Sequence, residues 1–289
     1  MMICQVAYAN LKVTMLNVGQ GDAILIQTSE QNVLIDTADS SERDALKKEL
    51  YKAGAYRLDK IILTHAHKDH IGNCAFLISN GVFKVKSIYD NGIASTSKLY
   101  QNYINECKKR NVPHNSLKAG DVLDLGEGAK FTILYPPSDL VELRNKYRQV
   151  KSDPNNEGVV GRLTYGNFSM LFTGDAELVV EKEILPNIEH CTVLKAGHHG
   201  SIKSSDIDFI RKVSPEYVFI SAGKPMDDYG HPHVQTLKNF LSAGVNKNKI
   251  FWTHPNGTVT LDTDGVTWQV STETQINWFD IYITNFGGI

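Results

Sequence analysis

The sequence is poor in cysteine, in long apolar runs and in any excess of charge. Its four cysteines, Cys4, Cys74, Cys107 and Cys191, are scattered and form no Cys-x-x-Cys pair. That argues against a disulfide-stapled scaffold and a cysteine-built zinc knuckle, and favours buried free thiols. No segment approaches the ~20 consecutive apolar residues of a bilayer helix, so no membrane span is expected. The formal net charge is only −2. This argues against a coat of basic residues for tight non-specific nucleic-acid binding, though a local basic strip beside a cleft is compatible with it. Low-complexity segments, linkers and strict repeats are also missing. What remains is a chain of 289 residues, 42% hydrophobic, long enough to bury a core without staples. The opening MMICQVAYAN ends like the tail of a secretory signal, but it lacks a basic start and a full apolar stretch. As it stands it is a lead-in to the first strand, and the chain is expected to be cytoplasmic. An exported precursor trimmed here would begin the same way.

Strands and helices alternate along the chain. LKVTMLNV (11–18) and AILIQT (23–28) flank the glycine-rich turn GQGD and read as a hairpin. NVLIDTA (32–38) is a third strand, with Asp36 towards its end. Residues 40–55 are expected to be helical, with Ser41 and Asp44 as a variant capping box and Leu46, Leu50 and Ala53 on one face. LDKIILT (58–64) is a nearly unbroken apolar run, as in a buried strand, and it delivers LTHAHKDHIG (63–72). A helix is expected from about Asp69–His70 through IGNCAFLISNG. The middle holds a helix near 96–110, strands at 121–125 and 130–135, and a polar, proline-bearing loop over 135–158 with one short helix. VVGRLTYG and FSMLFTGD form a hairpin around Gly166–Asn167. A helix at 177–185 and the strand CTVLKAG, which delivers HHGS, come next. Helices at 204–213 and 233–243 and strands near 217–221, 249–253, 257–262 and 265–270 complete the pattern. The tail 271–289 carries Trp278, Phe279, Tyr282 and Phe286, and is expected to pack on the body or on a partner.

The chemistry concentrates in HAHKDH. His65 and His67, two apart on a turn leaving a strand, can point into one coordination sphere. Asp69 and His70, at the start of the next helix, can face a second sphere about 3.5–4 Å away, the spacing of two-metal hydrolases. Imidazole with carboxylate suits zinc or manganese. A surface cluster of histidines is a poor account of four such residues at a strand's end.

This H-x-H-x-D-H arrangement resembles the metallo-β-lactamase superfamily. The set NVGQGDAILI, LTHAHKDHIG, LFTGDAE, LKAGHHGS and YGHPH is similar to the metallo-β-lactamase-like domain of the ComEC competence proteins, over about residues 11–270. The resemblance implies an α/β fold, a four-layer αββα sandwich, with residues 1–270 as the hydrolase domain. It implies two divalent metal ions, zinc or manganese. His65 and His67 would hold the first, Asp69 and His70 the second, and Asp175 would bridge them. His198, following directly from its strand, is taken as the remaining ligand of the second metal, with His199 as the alternative. Asp36 would support the H-x-H loop from behind. Gly19 and Gly21 would shape the turn, and Asp22 would serve it through backbone hydrogen bonds.

One departure matters. Most members of the superfamily carry another histidine in the loop before LFTGDAE, completing the first metal's shell. Here SDPNNEG contains none, unless Asn156 or Glu157 reaches in. The first site is therefore expected to be weaker and partly occupied. His231 is a candidate substrate contact or leaving-group acid, and His233 is read as a cap or a solvated side chain. The resemblance implies a hydrolase in which Asp69 orients a metal-activated water, most simply a phosphodiesterase or nuclease acting on a phosphoester, DNA among the candidates. A phosphorylcholine-type esterase, with Tyr229 or tail aromatics over the pocket, is the second reading. A non-catalytic module of the same fold is the third.

Overall fold

The computed structural model describes residues 10–146, 153–225 and 229–286. The secretory-like start of the chain, Asp227, Asp228 and the side chain of Phe286 lie outside the described residues.

The strands in chain order begin with β1 (Leu11–Met15), β2 (Ile24–Gln27), β3 (Asn32–Ile35), β4 (Arg57–Leu58), β5 (Lys60–Ile62), β6 (Lys84–Val85), β7 (Ile88–Asp90) and β8 (His114–Ser116). They continue with β9 (Val122–Asp124), β10 (Lys130–Tyr135), β11 (Val160–Tyr165), β12 (Phe168–Phe172), β13 (Val193–Lys195), β14 (Tyr217–Ile220) and β15 (Ile250–Trp252). The last two are β16 (Val259–Thr263) and β17 (Trp268–Thr272). One eight-stranded sheet runs β17-β16-β1-β2-β3-β5-β7-β8, and a seven-stranded sheet runs β15-β14-β13-β12-β11-β10-β9. β4 and β6 form a small parallel pair apart from both.

Alternation along the strands builds the layers. Ile24 and Ile26 turn inward between the sheets, meeting Phe131, Met170 and Phe172. Leu25, between them in sequence, turns outward under Leu46 and Leu50 of α1 (Arg43–Lys52). α2 (Lys68–Ile71), α3 (Cys74–Ser79) and α4 (Lys98–Arg110) share that outer layer. α5 (Ser138–Lys146) lies in the connection from β10 to β11. On the second sheet Met170 and Phe172 face inward, while Leu171 packs outward with α6 (Leu178–Ile184), α7 (Ile207–Val213) and α8 (Val234–Ser242). A short α9 (Thr253–Asn256) follows β15, and α10 (Trp278–Phe286) carries the tail. This is the αββα sandwich. Strands buried on both faces explain the nearly continuous apolar runs, each large side chain contributing roughly 1.5–3 kcal/mol.

Three local features differ from the sequence reading. Asp39, and not Ser41, does the capping: its carboxylate accepts the Ser41 N–H at 2.9 Å at the head of a short 3-10 turn, Ser40–Glu42, that leads into α1. The helix after HAHKDH is broken at Gly72–Asn73. There the Asn73 amide donates to the carbonyls of Thr37 and Asp39, at 2.9 and 2.7 Å. A Cβ on Gly72 would lie 2.4 Å from the Ser40 nitrogen. β7 and the edge strand β8 had no distinct signal, and β8 is exposed along its length. In the tail, Trp278 and Tyr282 pack edge-on against Trp252, at ring distances of 5.2 and 5.3 Å, and the Tyr282 hydroxyl donates to the Pro232 carbonyl at 2.8 Å.

Candidate metal centre

The site gathers at the ends of β3, β5, β12 and β13, with the GQGD turn behind it. Asp36 leaves β3 with a positive φ of 60°. Its carboxylate accepts the Thr64 N–H and hydroxyl, both at 2.8 Å, and faces His70 Nδ1 at 2.7 Å. A proton on that nitrogen leaves His70 Nε2 as the free lone pair pointing into the site. Gly21, at φ 125°, lets the turn press on the same loop: the Asp22 N–H donates to the Asp69 carbonyl at 3.1 Å, and a Cβ on Gly21 would lie 2.5 Å from that oxygen.

Asp69, His70, Asp175 and His199 each direct one ligand atom into a common point, all within 4.8 Å of one another. His70 Nε2 lies 3.2 Å from Asp175 Oδ2; His199 Nε2 lies 3.4 Å from Asp69 Oδ2 and 3.5 Å from Asp175 Oδ1. His70 Nε2, His199 Nε2 and Asp175 Oδ1 are buried without a hydrogen-bond partner. Buried polar atoms rarely stay unpaired, and two imidazole nitrogens with two carboxylates are a donor set that fits a divalent cation. Burial alone would favour neutral groups here. The mutual attraction outweighs it, holding Asp69 and Asp175 below the usual carboxylate range and His70 and His199 above the ordinary histidine value.

The place beside Asp69 and His70 is thus occupied by His199, not by His198. His199 Nδ1 sits 2.8 Å from the Ser221 carbonyl, which turns Nε2 inward. Both histidines lie in the left-handed region, at φ 47° and 56°, a conformation costing about 1–2 kcal/mol per residue. His198 remains close, its Nε2 3.7 Å from Asp175 Oδ2. His65 Nε2 is 3.8 Å from that oxygen and 3.0 Å from His67 Nδ1. Burial holds His65 well below the ordinary value, so it presents a neutral ring.

Neither candidate for the absent histidine reaches in. The Glu157 carboxylate pairs with Arg144 at 2.6 Å and accepts the Asp153 N–H. Asn156 Oδ1 accepts the Glu177 N–H at 3.1 Å. His231 is buried, with its ring 5.4 Å from that of His198 and stacked at 6.1 Å on His199. Burial, reinforced by the neighbouring histidines, pushes it down to about 3. A neutral imidazole at pH 7 suits a contact rather than a proton donor of the imidazolium kind. His233 is partly buried and its Nδ1 accepts the Ile202 N–H at 3.2 Å.

Two functional side chains escaped the sequence reading. Lys195 is fully buried, 2.6 Å from Asp22 Oδ2 and 3.9 Å from Asp175 Oδ1. So the Asp22 side chain does more than serve its turn: its other oxygen faces His199 Nδ1 at 3.4 Å. Asp22, Asp36 and His70 also converge, but the Lys195 ammonium already supplies positive charge there. The available signal was a lysine inside the apolar run VLKAG, since lysines are almost never fully buried unpaired. The second is Glu177, facing His198 Nδ1 at 3.4 Å.

Beside His67 opens a cavity of about 440 Å³, lined by Asn91, Ser95, Ser97, Gln101, Arg144 and Pro154 among others. It is open to solvent, and its lining mixes these hydrogen-bonding groups with the apolar Ala66, Ile93 and Ala94.

Comparison with known proteins agrees with this geometry. Residues 16–224 match the metallo-beta-lactamase superfamily. The chain belongs to that superfamily. As a metallo-β-lactamase-fold protein it is similar to ComE operon protein 3 of Bacillus subtilis (strain 168), 31% identical over 272 residues, covering 86% of this chain and 32% of that protein. It is also similar to competence protein ComA of Neisseria gonorrhoeae, 29% identical over 235 residues, covering 80% of this chain and 29% of that one. The chain spans about a third of the length of these curated relatives. Among solved structures, the metallo-beta-lactamase fold protein YhfI of Bacillus subtilis aligns with a TM-score of 0.55 at 15% identity, covering 86% of this chain and 98% of that one. The chain is a metal-dependent hydrolase of this superfamily, related to the ComEC-type competence proteins. Among the described residues no helix is long and apolar enough to cross a membrane.

Proposed function

We propose that this metallo-β-lactamase-fold hydrolase is a phosphodiesterase acting on a nucleic-acid strand, DNA being the favoured substrate. The observation that carries the reading is the gathering of His65, His67, Asp69, His70, Asp175, His198 and His199 beside an open cleft. Asp69, His70, Asp175 and His199 would hold one divalent ion; His65 and His67, with Asp175 shared, would hold the other. Zinc and manganese both suit these donors. Two bound ions would supply Lewis acidity and acidify a coordinated water.

The chain's own residues do the rest. Asp69, fixed through its carbonyl by the Asp22 N–H and facing His199, is placed to orient the attacking water. His231 contacts the substrate as a neutral imidazole, its Nδ1 3.5 Å from the Gln20 amide. The cleft beside His67 offers amide and hydroxyl groups to a sugar–phosphate chain, with the Arg144 guanidinium held there by Glu157. Similarity to competence proteins supports a DNA substrate, and the near-neutral charge implies that phosphate contacts are local.

The phosphorylcholine reading keeps one support: Tyr229 is exposed and stacks on His231 at 6.0 Å. The tail aromatics Trp278 and Tyr282 are engaged with Trp252 and give it none. Purified protein with manganese or zinc would be assayed on single-stranded DNA, bis-p-nitrophenyl phosphate and p-nitrophenyl phosphorylcholine, beside Asp69→Asn. Cleavage of the first two, lost in the variant, is expected. Choline-ester activity alone would choose the second reading, and activity on none of them would sink both.

A further inference from the structure

We infer that His198 supplies the third imidazole of the His65–His67 metal position, and that Asn155 and Asn156 serve this role indirectly by fixing the carboxylate behind it. The inference rests on the two-metal reading above and concerns what replaces the loop histidine the chain lacks.

Asp175 has two differently occupied sides. Its Oδ1 faces His199 and Lys195 at 3.5 and 3.9 Å. Its Oδ2 faces His70, His198 and His65, at 3.2, 3.7 and 3.8 Å. His70 and His199 belong to the compact cluster with Asp69. His198 Nε2 and His65 Nε2 are left as the pair converging on Oδ2, and His67 Nδ1 is 3.0 Å from the latter. Consecutive left-handed residues let neighbours in sequence send their rings to different halves of one centre. The His198 N–H is held by the Gly174 carbonyl at 3.0 Å, and the His198 carbonyl accepts the Ser201 N–H at 2.8 Å.

The far side of the ring carries the second observation. His198 Nδ1 is buried without an aligned hydrogen bond and faces Glu177 Oε1 at 3.4 Å. A carboxylate behind the non-ligating nitrogen is the usual support of a metal-bound histidine. Glu177 is itself fixed. Its N–H donates to Asn156 Oδ1 at 3.1 Å, and its carboxylate accepts from Asn155 and Asn156, at 3.4 and 3.5 Å. Asn156 is held in turn by Asp153 at 2.8 Å and through its carbonyl by the Tyr135 hydroxyl at 2.9 Å. The segment that lacks a histidine thus acts on the metal through Glu177 and His198.

Metal stoichiometry and affinity test this without an activity assay. Wild type, His198→Ala, Glu177→Gln and His199→Ala would be stripped with chelator, checked for apo-protein folding by circular dichroism, and titrated with zinc and with cobalt. Wild type is expected to take two ions. His198→Ala is expected to lose one and to change the cobalt absorption of that site, with the other ion kept. Glu177→Gln is expected to weaken the same ion by about 10- to 100-fold, and His199→Ala to remove the other. Two ions bound by His198→Ala with unchanged affinity would overturn the inference alone. If that variant does not fold, unchanged affinities in Glu177→Gln would overturn it. A wild type that takes a single ion would overturn the two-metal reading and this inference with it.

Discussion

The two halves of the centre draw on histidines adjacent in sequence yet differ in how much protein surrounds them. His70 and His199 are buried, and each has its outer nitrogen fixed: by the Asp36 carboxylate in one case and by the Ser221 carbonyl in the other. His67 and His198 are only partly buried, and His67 borders the cleft where substrate would enter. Rigid support and low dielectric favour a tightly held ion in the closed half, while exposure favours exchange and substrate contact in the open half.

The contrast can be broken at its shared member. Asp175→Ala removes the carboxylate both halves use, and activity is expected to fall on the order of 10³-fold or more, with both ions lost by elemental analysis. Retention of either ion would mean the halves are independent. Lys195→Met attacks the closed half from behind. It leaves Asp22 buried without its cation, and a loss of about 3–5 kcal/mol is expected in denaturant unfolding. A stability within error of wild type would show that water reaches Asp22. Gly21→Ala is a gentler probe. Its Cβ would meet the Asp69 carbonyl at 2.5 Å, so a loss of about 1–3 kcal/mol is expected. The closed-half ion should weaken before the open-half one. Equal weakening would erase the distinction.

The smallest effect lies away from both halves. His114 Nε2 is 2.7 Å from Asp90, which raises its proton affinity against a smaller effect of burial. A histidine raised in the folded state stabilises below its unfolded value, near 6.5, and that stability is lost as pH rises through its folded value. Unfolding followed from pH 6 upward should show this decline in wild type and a flatter profile in His114→Gln, with metal content unchanged. A change in metal content would mean that the far edge of the sheet is coupled to the centre.

Much of the fold was legible because strands and helices carry their own periodicity. The run LDKIILT announced a buried strand and FSMLFTGD one arm of a hairpin, and the αββα order followed from the resemblance of the motifs. What was misread depended on contacts with other segments. Asp39 rather than Ser41 caps the 3-10 turn that leads into α1, because the turn geometry places its carboxylate against the Ser41 N–H. The break at Gly72–Asn73 is imposed by the loop carrying Thr37 and Asp39, 34 residues away for the latter contact. The exposed strand β8 had no apolar pattern to reveal it.

The sequence alone determined which chemistry is present, because H-x-H-x-D-H, LFTGDAE and HHGS concentrate metal-type donors at strand ends. It also determined that one expected donor is missing from SDPNNEG. Tertiary structure decided how those donors divide. Whether His198 or His199 turns toward Asp69 depends on the left-handed backbone of both residues and on the Ser221 carbonyl, which no local pattern encodes. The burial of Lys195 against Asp22, from a turn far earlier in the chain, was settled in the same way. Chain segments must be brought together before a side chain has a partner, and the partner then fixes its direction.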